Sequence, residues 1–401
     1  MLLSAALPGP QMPIAVFALA LAAFCIGSTE FIVSGILLSV SHDLEVSIPT
    51  AGLLVTGYAA GVAVGGPLLG LLMTRVPLKP AILGVMTIFA IGQLLCAFAP
   101  NYSLLLAARL VSACGHGVFF GVASVAVSQL VPAERRGAAL SLFVGGITVA
   151  NILGLPGGTA IGNAFGWRVS FLCIAALAAL SVVAVFFALP AATKGEQQAD
   201  APLALQARQL LHQEVFLTYL AIAVIMIGQL AFGTFQVAIL TTVTGIADGL
   251  VPYYLLAGGA GAVVGIWLGG KGADWNIDAT IMVVVTGQVV SFLALLVAVR
   301  DPLWMGVMLF VSSLFGFGFS TPVQLRILQG ARAAPRLAST MVSTAYNVGI
   351  AAGAALGALL LNAGLDYALL PVTGIVSSAL AGIIALISIR LPHSSNLPAT
   401  A

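Results

Sequence analysis

The sequence predicts an all-α integral membrane protein with twelve transmembrane helices in two pseudo-symmetric six-helix bundles. Three observations carry that expectation. Of 401 residues, 61% are hydrophobic and only 6% are charged, against roughly 25% charged in ordinary soluble domains. Mean hydropathy is +1.15. Apolar runs of membrane-crossing length recur along the chain, and one set of glycines returns half a chain later. So few charges cannot clothe a water-facing globule.

The elements follow in order. A bilayer core ~30 Å thick needs about 20 apolar residues in helix. Residues 1–12 read as a tail, because Pro8 and Pro10 interrupt them and no basic stretch marks a cleaved signal. Apolar runs at 14–38, 50–73, 80–99, 103–130, 137–162 and 168–189 form a first bundle over 13–190. The longest polar stretch, TKGEQQADAPLALQARQLLHQE, supplies a linker at 191–214. Runs at 215–241, 250–270, 279–299, 303–325, 337–362 and 368–390 form a second bundle over 215–391, and 392–401 is a tail.

Basic residues orient the spans. With the N-terminus in the cytoplasm, the inside loops and tail hold Arg75, Lys79, Arg135, Arg136, Lys194, Arg208, Lys271, Arg326, Arg332, Arg336 and Arg390. Outside loops hold only Arg168 and Arg300, and Arg109 lies within span 4. Both termini are therefore expected inside, in the cytoplasm. The formal net charge of +2 carries no basic block for nucleic acid.

The 45 glycines suit helix backbones that approach closely in lipid. Their register hints at duplication. Gly61, Gly65 and Gly70 recur as Gly261, Gly265 and Gly270, 200 residues on, and NAFGW from Asn163 is echoed by NAGLDY from Asn362. Transporters built on repeats place the substrate between their halves, near the bilayer midplane. Cys25, Cys96, Cys114 and Cys173 all lie in apolar runs without metal-ligand spacing. They are expected to be free thiols, with no metal and no cofactor.

Four segments carry a family resemblance. GLLMTRVPLKP from Gly70 has Gly70, Arg75 and Lys79, with Thr74 and Pro77 at two further positions; GGKGADW repeats it with Asp274. Span 4 contains ARLVSACGHGVFFG with Arg109, Gly115 and Gly117. Span 5 contains NILGLPGGTAIG with Gly154, Pro156, Gly157, Gly158 and Gly162. Span 1 contains GSTEF. From about residue 12 to 390 the chain resembles the major facilitator superfamily, and within it the bacterial drug:proton antiporters and sugar-efflux permeases of the arabinose-efflux type. The resemblance implies that the 70–79 loop is a cytoplasmic latch. Thr74 replaces its usual aspartate and Pro77 its usual glycine, so Asp274 in the second copy is expected to carry more of that role. It further implies that Arg109 takes part in proton transfer and that the glycines and proline of span 5 are the antiporter motif of exporters. Proline frees a backbone carbonyl and glycine removes side chains, which yields a bendable, closely packed helix.

Sorting the acids isolates Glu30. Asp43, Glu45, Asp248, Asp301 and Asp366 fall in outside loops, and Glu134, Glu196, Asp200, Glu214, Asp274 and Asp278 lie inside, some at helix ends. Glu30 alone is within a span, ~24 Å along a helix counted from Ile14 at ~1.5 Å per residue. A bare charge there is expensive unless paired or wet. A carboxyl alternately open to each side can load a proton on one face and release it on the other. Arg109 lies at a depth compatible with pairing to it, the alternative being that Arg109 snorkels outward, and His116, two turns further along span 4, can titrate at physiological pH. No acid is expected within the second six spans, so proton coupling is assigned to the first half, with Glu30, Arg109 and His116 as candidates.

Substrate-lining candidates are aromatics and amides of spans 1, 4, 5, 7, 8, 10 and 11. They are Phe31, Phe119, Phe120, Asn151, Gln229, Phe232, Gln236, Phe315, Tyr346 and Asn347. The leading expectation is a proton-coupled exporter of a lipophilic drug, sugar or nucleoside, working as a monomer in the bilayer. A proton symporter or uniporter importing a metabolite, or a membrane sensor that binds without transport, are the alternatives. No phosphate-binding loop, HExxH or paired intramembrane acids point to an enzyme.

Overall fold

The computed structural model describes residues 12–73, 76–190, 209–331 and 335–391. The tail at 1–11, Arg75, most of the linker and the tail from 392 lie outside them. Among the described residues there are helices and turns but no strand.

The helices are α1 (Ile14–Asp43), α2 (Ile48–Met73), α3 (Leu78–Ala97), α4 (Tyr102–Gln129), α5 (Arg136–Val149), α6 (Leu155–Phe165) and α7 (Trp167–Ala188). After the linker come α8 (Gln213–Gly233), α9 (Gln236–Thr242), α10 (Val251–Trp275), α11 (Ile277–Ala298), α12 (Pro302–Gly318), α13 (Ser320–Gly330), α14 (Pro335–Asn362) and α15 (Pro371–Arg390). Spans 5, 7 and 10 are each made of two helices, and the described residues hold twelve spans long and apolar enough to cross a membrane.

Span ends are capped by the residues that flank them. The Asn101 and Asn276 side chains accept the amides of Leu104 and Ala279, and the Asp301 carboxylate accepts that of Trp304. Each satisfies a donor the helix leaves unpaired. Gly166, at φ +90, turns α6 into α7 in a single residue, a conformation that is strained for any residue with a Cβ.

Hydropathy misplaces several charges at the span ends. Asp43 is the last residue of α1 rather than a loop residue. Glu214, assigned to the linker, is the second residue of α8 and is 2% exposed. Arg326, assigned to a loop, lies in α13 and is 4% exposed. Its guanidinium pairs with Glu214 at 3.2 Å and with Asp278 in the first turn of α11, and donates to the Ser388 carbonyl of α15. The expectation of no acid within the second six spans is therefore wrong. Mutual neutralisation lets these charges sit inside helices that a hydropathy window ends early.

The repeated glycines lie on equivalent seams. Gly61 and Gly65 of α2 face Ala113 and Cys114 of α4; Gly261 and Gly265 of α10 face the carbonyls of Phe310 and Leu314 in α12. A Cβ at Gly265 would stand 2.0 Å from the Leu314 oxygen, so only glycine permits this approach. Lipid drives no hydrophobic association between helices, and such close packing does so instead.

The two bundles meet where α2 lies along α14, where α1 meets α9, and where span 5 meets α10. In the last contact α10 is touched chiefly by α6 and the turn that precedes it. Along this side the bundles therefore close at the end away from residues 12 and 391. At that far end Asn163 donates to the Asp248 carbonyl across the bundles. Phe235, wholly buried, wedges between Gly52 of α2 and Gly357 of α14.

Candidate functional site

Span 5 supplies the frame. Pro156 has no amide to give the carbonyl one turn back, and Ala150–Gly154 winds as a π-helix instead. Single π turns inside α-helices recur at functional sites. The glycines that follow make a ladder against α1, with Gly154 over Ser28, Gly158 over Ile32 and Gly162 over Ile36. On the other side of the span, Gly259 of α10 packs on the Asn151 carbonyl. Span 5 thus touches both the helix that carries Glu30 and the opposite bundle. Gly157 has nothing within contact distance of a Cβ and belongs to neither seam.

A polar cluster is buried in the first bundle. Arg109 is wholly buried, and its Nη1 donates to the carbonyl and to Oγ1 of Thr29, each at 3.0 Å. Thr29 Oγ1 in turn donates to Gln93 Oε1 at 3.0 Å. The guanidinium lies over the Tyr58 ring, 3.9 Å from its centre, and the Tyr58 hydroxyl bonds His116 Nδ1 at 3.1 Å. The His116 ring stacks edge-on to Phe120, which with Phe119 and Phe143 forms an aromatic cluster. Arg109 Nε and Nη2 and Gln93 Nε2 have no hydrogen-bond partner.

Glu30 stands at the edge of this cluster. It is half-buried, and among the described residues it makes no hydrogen bond or ion pair. The Arg109 charge acts on it electrostatically without a direct salt bridge. One turn along the same face, Ser34 lines a cavity of about 100 Å³ shared by the two bundles. Within the triplet, Thr29 holds Arg109 and Phe31 lines the cavity.

Of the ten lining candidates, the cavity gathers Phe31, Asn151, Gln229, Phe232 and Gln236. Phe119 and Phe120 belong to the aromatic cluster instead. Phe315 packs on Gly287 and opens to a separate groove beside α10. Tyr346, and Asn347 with its Nδ2 on the Ser343 carbonyl, are also outside the cavity. Gln288 and Phe292 of span 9 do line it, although that span supplied no candidate. The signal was present: Gln288 is the one amide of its helix. Tyr58, Gln93 and Thr29 were missed too, for no spacing links them along the chain.

Around the 70–79 loop, Arg75 lies outside the described residues. Lys79 caps the C-terminal end of α7, donating to the carbonyls of Phe186 and Leu189 at 2.7 and 2.6 Å. A cation is favourable there because the helix ends in unpaired carbonyls. Asp274 is exposed near the end of α10.

Known proteins agree with this architecture. The model of the Major Facilitator Superfamily matches residues 19–358. The chain is 34% identical to "Inner membrane transport protein YdhP" of Escherichia coli (strain K12), covering 93% of this chain and 95% of that protein. It is 29% identical to a "Probable sugar efflux transporter" of Helicobacter pylori (strain J99 / ATCC 700824), covering 94% of each. Its fold matches, with TM-score 0.69 and 16% identity, the crystal structure of a bacterial homolog to the human lysosomal transporter Spinster, covering 94% of this chain and 96% of that one.

Proposed function

This chain belongs to the major facilitator superfamily, whose members carry small molecules across membranes, and from that premise we propose that it exports a small organic solute in exchange for protons. The exchange runs by alternating access across a bacterial inner membrane, with both termini in the cytoplasm. One observation carries the reading. Glu30, an unpaired carboxyl deep in span 1, sits one turn from the cavity shared by the bundles and within the field of Arg109.

The cycle follows from these groups. When the bundles part at the end bearing residues 12 and 391, solute enters the cavity from that side. Glu30 carries its proton or gives it up according to the compartment it faces. Span 5, which touches both α1 and α10, transmits the change at Glu30 to the bundle interface. The glycine-rich span 5 of the exporter type and the sugar-efflux relative support the outward direction.

Flux in proteoliposomes tests the proposal. Solute accumulation in the lumen is expected to be driven by an acid-inside pH gradient and to alkalinise the lumen in proportion, as each solute that enters sends a proton out. Glu30→Gln is expected to abolish accumulation against a gradient while exchange of solute for solute continues. Undiminished gradient-driven accumulation by Glu30→Gln overturns the coupling role.

A further inference from the structure

The cavity between the bundles reports the chemistry of what it holds. Among the described residues no charged side chain lines it. Its polar groups are the amides of Asn151, Gln229, Gln236 and Gln288, with serine hydroxyls beside them. Phe31, Phe232, Phe292 and Phe317 make apolar walls.

Gln288 is the telling residue. It is 0% exposed, and neither Oε1 nor Nε2 has a hydrogen-bond partner. Gln229 Oε1 is likewise without one, and its amide is accommodated only because Gly316 opposite has no side chain. Buried amides are nearly always paired, and an orphan in a native protein asks for a partner. A primary amide offers two donors and an acceptor. A carboxylate can only accept, so it leaves the Oε1 atoms unmet. An ammonium can only donate, so it leaves Nε2 unmet and finds no counter-charge on the cavity wall. A hydroxyl donates and accepts at once and meets both.

We propose that the cavity takes an uncharged, hydroxyl-bearing molecule with an apolar face, and that Gln288 is one of its binding residues. The proposal rests on the reading of the chain as a solute carrier and names that solute's chemical class. At about 100 Å³ the cavity is smaller than the ~300–1,000 Å³ typical of ligand sites, so the bundles widen it when solute enters.

Binding to the purified full chain in lipid nanodiscs tests this. The probes are phenyl β-D-glucoside, uridine and chloramphenicol as neutral hydroxylated compounds. Phenyl β-D-glucuronide is the matched anion and tetraphenylphosphonium the apolar cation. At least one neutral probe is expected to bind, and the glucuronide and the cation to bind much more weakly or not at all. Gln288→Leu is expected to weaken the neutral probe about tenfold or more, since a polar ligand group then lacks its partner. The same variant, which removes orphaned polar atoms at similar volume, is expected to melt no lower than the parent, so its loss of binding is not a loss of fold. Gln288→Glu is expected to shift preference toward tetraphenylphosphonium. Preferred binding of either charged probe by the parent, unchanged affinity in Gln288→Leu, or no binding by any neutral probe overturns the assignment. The outcomes separate from those of the coupling reading. A protein that binds neutral probes without proton-linked flux keeps this assignment and loses the coupling. One that exchanges tetraphenylphosphonium for protons keeps the coupling and loses this assignment.

Discussion

The guanidinium of Arg109 lies over the Tyr58 ring, 3.9 Å from its centre, and both residues are buried. A cation buried without an ion-paired carboxylate needs other sources of stabilisation, and the ring face and the two Thr29 acceptors supply them. Tyr58→Phe keeps the ring and loses only the His116 hydrogen bond, so it is expected to cost about 1 kcal/mol of stability. Tyr58→Leu also loses the cation–π contact and is expected to cost about 2 kcal/mol more. Thermal unfolding of both variants in one detergent measures the difference, and equal melting temperatures would remove the ring from the account.

The glycine seam between α10 and α12 makes a sharper packing prediction. Gly265→Ala drives a Cβ against the Leu314 carbonyl, which as backbone cannot step aside. Overpacking of this kind typically costs about 1–3 kcal/mol. Gly157→Ala meets nothing within contact distance and is expected to fold as the parent does. Monodispersity on size exclusion and melting temperature report both. A well-folded Gly265→Ala would mean that the seam is looser than its geometry.

Arg326 joins two acids at the end of the second bundle that bears residue 391. Arg326→Met removes the ion pairs to buried Glu214 and to Asp278, at an expected cost of about 3–5 kcal/mol. Adding Glu214→Gln to that variant removes one of the charges Arg326 neutralised and is expected to recover much of the loss. A double-mutant cycle on melting temperature tests this, and additive losses would deny the pairing.

Asn163 reaches across the bundles to the Asp248 carbonyl at the far end. Cysteines at 163 and 248, in a background without Cys25, Cys96, Cys114 and Cys173, are expected to be joined through two disulfides by a short bis-methanethiosulfonate. The link holds that end closed, so flux is expected to stop and to return on reduction. Full flux in the cross-linked protein would show that this end does not open during transport.

How much of this was legible in the residues depends on the range of the interaction. Helix count, the depth of Glu30 and the glycine register follow from composition and local spacing, because lipid forces every crossing segment to satisfy its backbone within itself. Five of the lining candidates reached one cavity because an amide or aromatic in a bundle helix has few places to go. Thr29, Tyr58, Gln93 and Arg109 come from four different helices, and no periodicity joins them. Glu214 and Arg326 looked like loop charges until α8, α11 and α13 were packed together. A single chain thus announces its spans and its one isolated acid. Which polar groups neutralise one another, and which, like Gln288, are left waiting for a partner, emerges only when distant helices converge, since pairing is a property of distance in space and not along the chain.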